Sequence, residues 1–171
     1  AGCGVAKTIT VNANPAAISG ASVVCVGSSG TLSCATPGGA WTSSATSVAT
    51  IDGSGAYSGV SAGVATITYS TGAGCFATFD ITVNPIPDAI TGGLTECIGG
   101  TSTLSNTTSG GTWLSSNTAV GTIDASGVVT AITAGTTTIT YSISGACAAT
   151  AVFTVNGTPA AIGGTLSVCI G

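Results

Sequence analysis

Charged side chains are scarce in this chain of 171 residues. It has one lysine, no arginine, no histidine and five acidic residues, so charged residues make up 4% of the sequence and the net charge is −4. Ordinary soluble domains carry about 25% charged residues. Nucleic-acid binding is not expected, because contacts to phosphates need lysine and arginine. Catalysis is not expected either, because the histidine that most often serves as general acid or base is absent.

Long apolar runs and methionine are also absent. The chain is 44% hydrophobic, yet glycine, serine and threonine interrupt every apolar run before the ~20 residues that a membrane-spanning helix needs. Threonine, valine and isoleucine alternate between glycine-containing turns, which favours β-strands throughout. The surface must therefore consist of small uncharged residues. Such a surface repels neighbouring chains weakly and permits self-association.

The remaining sequence repeats itself without a gap. Trp41 corresponds to Trp113 and Tyr69 to Tyr141, each pair 72 residues apart. A period this strict indicates a repeat array. The predicted divisions are the last strand of a preceding repeat at 1–12, repeat 1 at 13–84, repeat 2 at 85–156 and the first strand of a following repeat at 157–171.

Each repeat is predicted to form seven short strands, because β-branched residues alternate between turn signals. Seven strands at this spacing favour an all-β sandwich. Alternation in one strand places Ala65, Ile67 and Tyr69 toward a core. In repeat 1 the predicted strands are Ile18–Val26, Thr31–Ala35, Ala40–Ser43, Val48–Ile51, Ala56–Val60, Ala65–Ser70 and Phe76–Val83.

The motif Trp-x-Ser-Ser-x-x-x-Val-Ala-Thr-Ile-Asp begins at Trp41, and Gly-x-Ala-Thr-Ile-Thr-Tyr begins at Gly63. Together they resemble the bacterial immunoglobulin-like repeat of the group 2 type, found in intimin- and invasin-like surface proteins. The regularly placed cysteines resemble the variant found in giant secreted adhesins of Bacteroidota. The resemblance implies tandem seven-stranded immunoglobulin-like β-sandwiches with a 72-residue period. It also implies a structural or adhesive function in an extracellular stalk or filament at the cell surface, without catalysis.

Six of the seven cysteines keep the same period. The exception is Cys34, whose counterpart in repeat 2 is Asn106. Periodic cysteines in a chain without histidine predict disulfides and an oxidising, extracellular compartment. A zinc site is not expected, because the close Cys-x-x-Cys or Cys/His spacing of such sites is absent. The two periodic sets are Cys3, Cys75 and Cys147, and Cys25, Cys97 and Cys169.

Two disulfide pairings fit this period. The first strand of a sandwich commonly runs beside the last strand of the same unit, so we favour pairing within repeats. The favoured bridges are Cys25–Cys75 and Cys97–Cys147, with Cys3 and Cys169 bonded to neighbouring repeats. The alternative bridges, across repeat boundaries, are Cys3–Cys25, Cys75–Cys97 and Cys147–Cys169. Cys34 remains either a buried unpaired thiol or one half of an inter-chain disulfide.

Two further pairs of repeated residues are candidate binding groups. Asp52 and Asp124 could bind calcium, but a cation with six to eight oxygen ligands usually needs several clustered carboxylates. We therefore expect each to close an Asx turn. Trp41 and Trp113 could stack on sugars, but their position inside a strand favours a core role. No metal or cofactor is expected.

The leading function is therefore a structural or adhesive extracellular module that associates with itself or with neighbouring repeats of one long chain. Nucleic-acid binding and membrane insertion are not expected, and the sequence does not identify a ligand at the tip of such a filament. Two alternatives stay open: a carbohydrate-binding accessory module of a secreted enzyme, and a phage tail or capsid decoration domain.

Overall fold

The computed structural model describes residues 3–4, 7–143 and 147–164, and the described residues contain strands and turns but no helix. They fall into two compact units. The first holds the described residues up to Ile86 together with Cys147, and the second holds Pro87–Ile143 and the described residues from Ala148 onward. No described helix is long and apolar enough to span a membrane.

Nine strands form between residues 18 and 84, rather than the predicted seven. They are β1 (Ile18–Ser19), β2 (Val23–Cys25), β3 (Ser29–Thr31), β4 (Ser33–Cys34), β5 (Ala40–Ser43), β6 (Ala49–Ile51), β7 (Ala56–Gly59), β8 (Gly63–Gly72) and β9 (Cys75–Asn84). One sheet has the order β2-β9-β8-β5, a second has the order β3-β7-β6, and β1 pairs with β4. The strand pairs are antiparallel except that β2 runs parallel to β9.

The first two predicted strands are each divided because the chain passes from one sheet to another. Gly20 stands between β1 and β2 with φ of +146°, and a Cβ atom there would lie 2.6 Å from Cδ2 of Leu32. Glycine tolerates both the backbone angle and the close approach. The bend at Gly20 therefore lets β1 pair with β4 while β2 joins the sheet of β9.

The second repeat forms eight strands. They are β10 (Thr91–Gly92), β11 (Thr95–Cys97), β12 (Thr101–Ser105), β13 (Thr112–Ser115), β14 (Gly121–Ile123), β15 (Val128–Ala131), β16 (Gly135–Ile143) and β17 (Cys147–Asn156). Their sheets have the orders β11-β17-β16-β13 and β10-β12-β15-β14. Strands β13 to β17 each begin 72 residues after their counterparts β5 to β9. The second repeat thus has the same strand plan, with β12 continuous where repeat 1 has β3 and β4.

Each unit has its own apolar core. In the first, Ala65, Ile67 and Tyr69 of β8 face inward, as their alternation predicts, and they are at most 5% exposed. In the second, Ile139, Tyr141 and the residues around them form a corresponding cluster. Burial of these side chains supplies most of the driving force for folding a chain with so few large residues.

The segments outside the two repeats form no strand among the described residues. Residues 7–12 have no regular structure, and Ile9 and Val11 are 81% and 90% exposed although their counterparts Ile81 and Val83 are buried. A strand forms only by pairing its backbone with a neighbour, and no such pairing is present for residues 7–12. The boundaries at 1–12 and 157–171 stay predictions.

Candidate functional site

Asp52 and Asp124 close turns between strands. One oxygen of Asp52 accepts hydrogen bonds from the Ser54 amide at 2.8 Å, the Ser54 hydroxyl at 2.6 Å and the Ala56 amide at 3.0 Å. Asp124 accepts the corresponding three bonds at 2.7–2.9 Å. The arrangement is the Asx turn that the sequence predicts.

Those hydrogen bonds affect both carboxyl groups in the same direction. The hydroxyl of Ser54, followed by the amides of Ser54 and Ala56, lowers the pKa of Asp52 below the usual 3.8. The hydroxyl of Ser126 and the amide of Val128 lower the pKa of Asp124 likewise. Among the described residues, no group of three or more His, Cys, Asp or Glu side chains could hold a metal ion.

Trp41 and Trp113 pack inside their own units. The rings of Trp41 and Tyr69 are cross-strand neighbours with centroids 4.6 Å apart and planes inclined by 54°, and Trp113 and Tyr141 repeat both values. Tilted pairs at this spacing are favourable for aromatic rings. Both tryptophans are partly buried against the core clusters. This packing is the core role expected from their position inside a strand.

The tyrosine hydroxyls fasten a loop to each sheet. The Tyr69 hydroxyl accepts a bond from the Gly39 amide at 2.8 Å and donates one to the Thr36 carbonyl at 2.7 Å. Tyr141 makes the same two contacts, with Gly111 at 2.9 Å and Thr108 at 2.6 Å. Each hydroxyl therefore satisfies two backbone groups that the core partly shields from water.

The cysteines depart from the favoured prediction. Cys25 is bonded to Cys147, with their Cα atoms 5.6 Å apart and a sequence separation of 122. Cys75 and Cys97 are free thiols, as are Cys3 and Cys34. The predicted bridges Cys25–Cys75 and Cys97–Cys147 are therefore wrong for this structure, and so is the alternative set joining Cys3–Cys25, Cys75–Cys97 and Cys147–Cys169. Cys169 lies outside the described residues.

Strand register explains why pairing within repeats fails. Strand β2 does run beside β9, as expected, but Cys25 is in register with Asn84 at the end of β9. Cys75 is the first residue of the same ten-residue strand, so it lies ~30 Å away along the strand. Cys97 is in register with Asn156 in the same way, at the opposite end of β17 from Cys147. A disulfide requires Cα atoms within about 7 Å.

Cys34 lies on β4 and is partly exposed. Its thiol is 3.2 Å from the Ala16 carbonyl, to which it donates a hydrogen bond. The counterpart Asn106 donates its amide to the corresponding carbonyl, that of Asp88. The thiol thus takes the place of an amide donor, which is a role that neither sequence-based interpretation of Cys34 included.

Tyr57 forms a contact that the sequence does not reveal at first inspection. It is 2% exposed, burial raises the pKa of its hydroxyl, and that hydroxyl donates to the Ala21 carbonyl at 2.9 Å. A Cβ atom on Gly30 would lie 2.6 Å from the same hydroxyl oxygen. In repeat 2 the counterparts are Val129 and Ser102, and the Ser102 hydroxyl donates to the Gly93 carbonyl at 2.7 Å. The two repeats satisfy one equivalent carbonyl with different side chains.

A second difference between the repeats is a buried polar cluster in repeat 2. Thr137 is 3% exposed, and its hydroxyl is 2.8 Å from that of Ser115 and 3.0 Å from the Asn117 amide. The Ser115 hydroxyl also donates to the Gly121 carbonyl at 2.6 Å. In repeat 1 the positions of Gly121 and Thr137 hold alanine. In repeat 2, the smaller Gly121 therefore accompanies the larger Thr137.

An open depression of about 580 Å³ lies against β3, β6 and β7. Its lining is mostly hydroxyl and backbone groups, together with the Asp52 carboxylate. That carboxylate already accepts three hydrogen bonds within its own turn. The depression therefore brings together no set of groups suited to acid–base or nucleophilic chemistry.

Comparison with known proteins gives one matching family and several similar structures. The family described as the intimin immunoglobulin-like domain matches residues 100–146. No curated protein sequence matches the chain. A surface layer protein, SbsC domains 1–6, aligns with 86% of this chain and 28% of its own at 18% identity and a TM-score of 0.40.

Two solved structures have TM-scores above 0.5. The C-terminal 282-residue fragment of intimin, in complex with the intimin-binding domain of Tir, is 17% identical over 84% of this chain and 65% of that one, with a TM-score of 0.53. Invasin, a bacterial integrin-binding protein, is 16% identical over 82% of this chain and 38% of that one, with a TM-score of 0.54. The chain thus spans less than two thirds of either relative. It has the all-β, immunoglobulin-like fold that these two proteins share.

Proposed function

We propose that the chain is a structural or adhesive module of an extracellular protein, working as part of a stalk or filament on a bacterial cell surface. The observation that carries the proposal is the immunoglobulin-like fold shared with intimin and invasin, whose structures are described as receptor-bound and integrin-binding. By analogy, this chain holds a binding end away from the cell, and its neighbours are further repeats of the same kind.

The disulfide supports an extracellular location. Disulfides persist in secreted and surface proteins and are rare in the reducing cytosol. The Cys25–Cys147 bond closes a sequence separation of 122 residues, so it would be lost as a stabilising cross-link if the chain resided in a reducing compartment.

The repeated residues support a scaffold function. Trp41, Asp52 and Tyr69 have their functional groups engaged within their own unit, and their counterparts in repeat 2 are engaged in the same way. A sugar-binding platform needs exposed aromatic faces, whereas both tryptophans pack against tyrosine. This packing favours the stalk over the carbohydrate-binding alternative.

Immunogold electron microscopy on the cells that produce the protein tests the proposal. Antibodies raised against the chain should label thin projections on intact, unpermeabilised cells, and external protease should remove the label. Antibodies against a cytoplasmic protein serve as the control and should label only permeabilised cells. Label confined to the cytoplasm, or to compact particles away from the cell surface, would contradict the proposal.

A further inference from the structure

We propose that Cys97 and Cys75 each form a disulfide of the Cys25–Cys147 kind with a further module of this type. Cys97 takes the part of Cys25 in one such bond, and Cys75 takes the part of Cys147 in another. Cys97 would bond the cysteine that begins the last strand of a following module. Cys75 would bond the cysteine of a preceding module that corresponds to Cys25. Repeated along an array, such bonds form a ladder in which every module is cross-linked to the next.

The first observation is that Cys97 has the backbone environment of the bonded Cys25. Cys25 is in register with Asn84, and Cys97 is in register with Asn156. The amide after each cysteine donates to the carbonyl of that asparagine, from Val26 at 2.9 Å and from Ile98 at 3.1 Å. The backbone therefore presents Cys97 at the end of its strand pair as it presents Cys25.

The turn that follows each cysteine is also conserved between the repeats. The Cys25 carbonyl accepts a bond from Ser28 at 3.0 Å, and the Cys97 carbonyl accepts one from Gly100 at 2.9 Å. Cys97 is exposed and unpaired. A thiol held in the geometry of a bonded half-cystine, and open to solvent, is suited to the same bond.

The second, independent observation concerns Cys75. It begins β9 as the bonded Cys147 begins β17, and its thiol is 3.5 Å from the carbonyl of Asn12. Asn12 is the sequence counterpart of Asn84, 72 residues earlier. A cysteine in register with Asn12, as Cys25 is with Asn84, would lie next to the Cys75 thiol. The contact thus marks the position that the preceding module's cysteine would occupy.

Formation of this bond requires an oxidant, which can be a small disulfide such as oxidised glutathione. The thiolate of Cys97 attacks this disulfide, forms a mixed disulfide and releases one glutathione thiolate. The partner cysteine's thiolate then attacks the protein sulfur of the mixed disulfide and releases the second. Two protein thiols become one protein disulfide, and two glutathione molecules leave carrying the two protons.

The inference deepens the proposed function, on which it rests for the existence of further modules. Its test measures only which cysteines pair. Failure of the ladder would leave the surface location untouched, and a cytoplasmic location would not alter the pairing found with purified protein in an oxidising buffer.

The test uses the full chain with a copy of residues 13–84 inserted after Asn156. The chain's own Cys75 is changed by Cys75→Ser, and Cys34→Asn is made in both places. Only the inserted copy then has a cysteine at the position of Cys75, so a peptide that contains this cysteine must come from the copy. After oxidation by glutathione disulfide, free thiols are alkylated. Digestion with pepsin at low pH, where thiolates are scarce, precedes mass spectrometry of disulfide-linked peptides.

The expected result is a peptide that joins Cys97 to the copy's counterpart of Cys75, together with loss of Cys97 alkylation. The Cys25–Cys147 bond should form in the same sample. Trp41→Phe and Trp113→Phe leave the tryptophan of the inserted module as the only one in the extended chain. Alkylation of Cys97 while the fluorescence of that tryptophan shows a folded module would overturn the proposal.

A second arm covers the case in which the inserted module does not fold. Chains of native length carrying Cys75→Ser are mixed with chains carrying Cys97→Ser and oxidised at high concentration. A covalent heterodimer joined through Cys97 and Cys75, in excess over the homodimers of either chain alone, supports the proposal and shows that a second copy can supply the partner. Indiscriminate pairing of whichever thiols are exposed, or the absence of any Cys97–Cys75 peptide, would contradict it.

Discussion

The hydroxyl of Tyr69 lies 2.8 Å from the amide of Gly39, thirty residues earlier in the chain, and ties the loop before β5 to the sheet. Because the same hydroxyl also donates to a carbonyl, Tyr69→Phe leaves two partly buried backbone groups unsatisfied. We expect the free energy of unfolding of the first unit to fall by about 1–3 kcal/mol. Urea titration followed by Trp41 fluorescence, in a chain with Trp113→Phe, measures it.

The matched control for that variant is Tyr141→Phe, read through Trp113 in a chain with Trp41→Phe. The two tyrosines make equivalent contacts, so the two losses should agree. A loss in one repeat and none in the other would contradict the assigned role of the hydroxyl.

Gly30 and Tyr57 are expected to be coupled. Gly30→Ser alone places a side chain against the tyrosine ring and should cost about 1–3 kcal/mol, and Tyr57→Val alone should cost about 2–4 kcal/mol by leaving a cavity. The double variant reproduces the pair found in repeat 2, Ser102 and Val129. In a double-mutant cycle, the loss of stability of the double variant should be smaller than the sum of the two single losses by about 1–3 kcal/mol. Additive losses would show that the two positions are independent.

Thr137→Val keeps the side-chain shape but removes the hydroxyl. The Ser115 hydroxyl and the Asn117 amide then lose a buried partner, so the second unit should lose about 1–3 kcal/mol of stability. Chemical denaturation followed by Trp113 fluorescence detects this. The control is Thr136→Val on the same strand, where the side chain is exposed and the change should be small.

Removing the Cys25–Cys147 bond should reduce stability substantially. Loop-closure entropy for a 122-residue separation predicts a loss of up to about 5 kcal/mol. Cys25→Ser, Cys147→Ser and the double variant should show the same melting temperature, since each removes the same bond. Cys34→Asn is the control, because asparagine fills that position in repeat 2 and donates to the equivalent carbonyl. Unequal single variants would point to an effect other than the bond.

Stability should decrease in acid through Asp52 and Asp124. Both carboxyl groups have a pKa below 3.8 in the folded chain, so the folded state favours their charged form. Their contribution is present above the unfolded pKa and is lost as pH falls through the folded value. Asp52→Asn with Asp124→Asn retains an accepting oxygen but cannot titrate, so its stability should change less between pH 5 and pH 2 than that of the unchanged chain. Identical pH profiles would contradict this assignment.

The fold was largely predictable because it follows from local patterns. Alternation placed Ala65, Ile67 and Tyr69 inward, and the Asp-x-Ser-Gly sequence of each turn predicted the Asx geometry at Asp52. Both are properties of neighbouring residues. The passage of the first strand between two sheets depends instead on the contact of Gly20 with Leu32, which the strand pattern does not encode.

The cysteine pairing was not predictable from adjacency of strands alone. The first and last strands are neighbours, but a parallel register places Cys25 at the end of β9 and Cys75 at its beginning. The sequence does contain a signal for the contacts at which the two repeats differ. Gly30 and Tyr57 differ together from Ser102 and Val129, and joint differences between aligned repeats indicate contact.

The bond between Cys25 and Cys147 also determines how the chain responds to tension. A force applied between Asn12 and Asn156 travels through the disulfide and bypasses the residues that lie between the two cysteines in the sequence, a separation of 122 positions. Roughly 400 Å of contour length is thereby held in reserve. While the disulfide is intact, unfolding of the residues between Cys25 and Cys147 does not add this contour length to the distance between Asn12 and Asn156. Reduction of this single bond would make that length available when the residues between the two cysteines unfold under load.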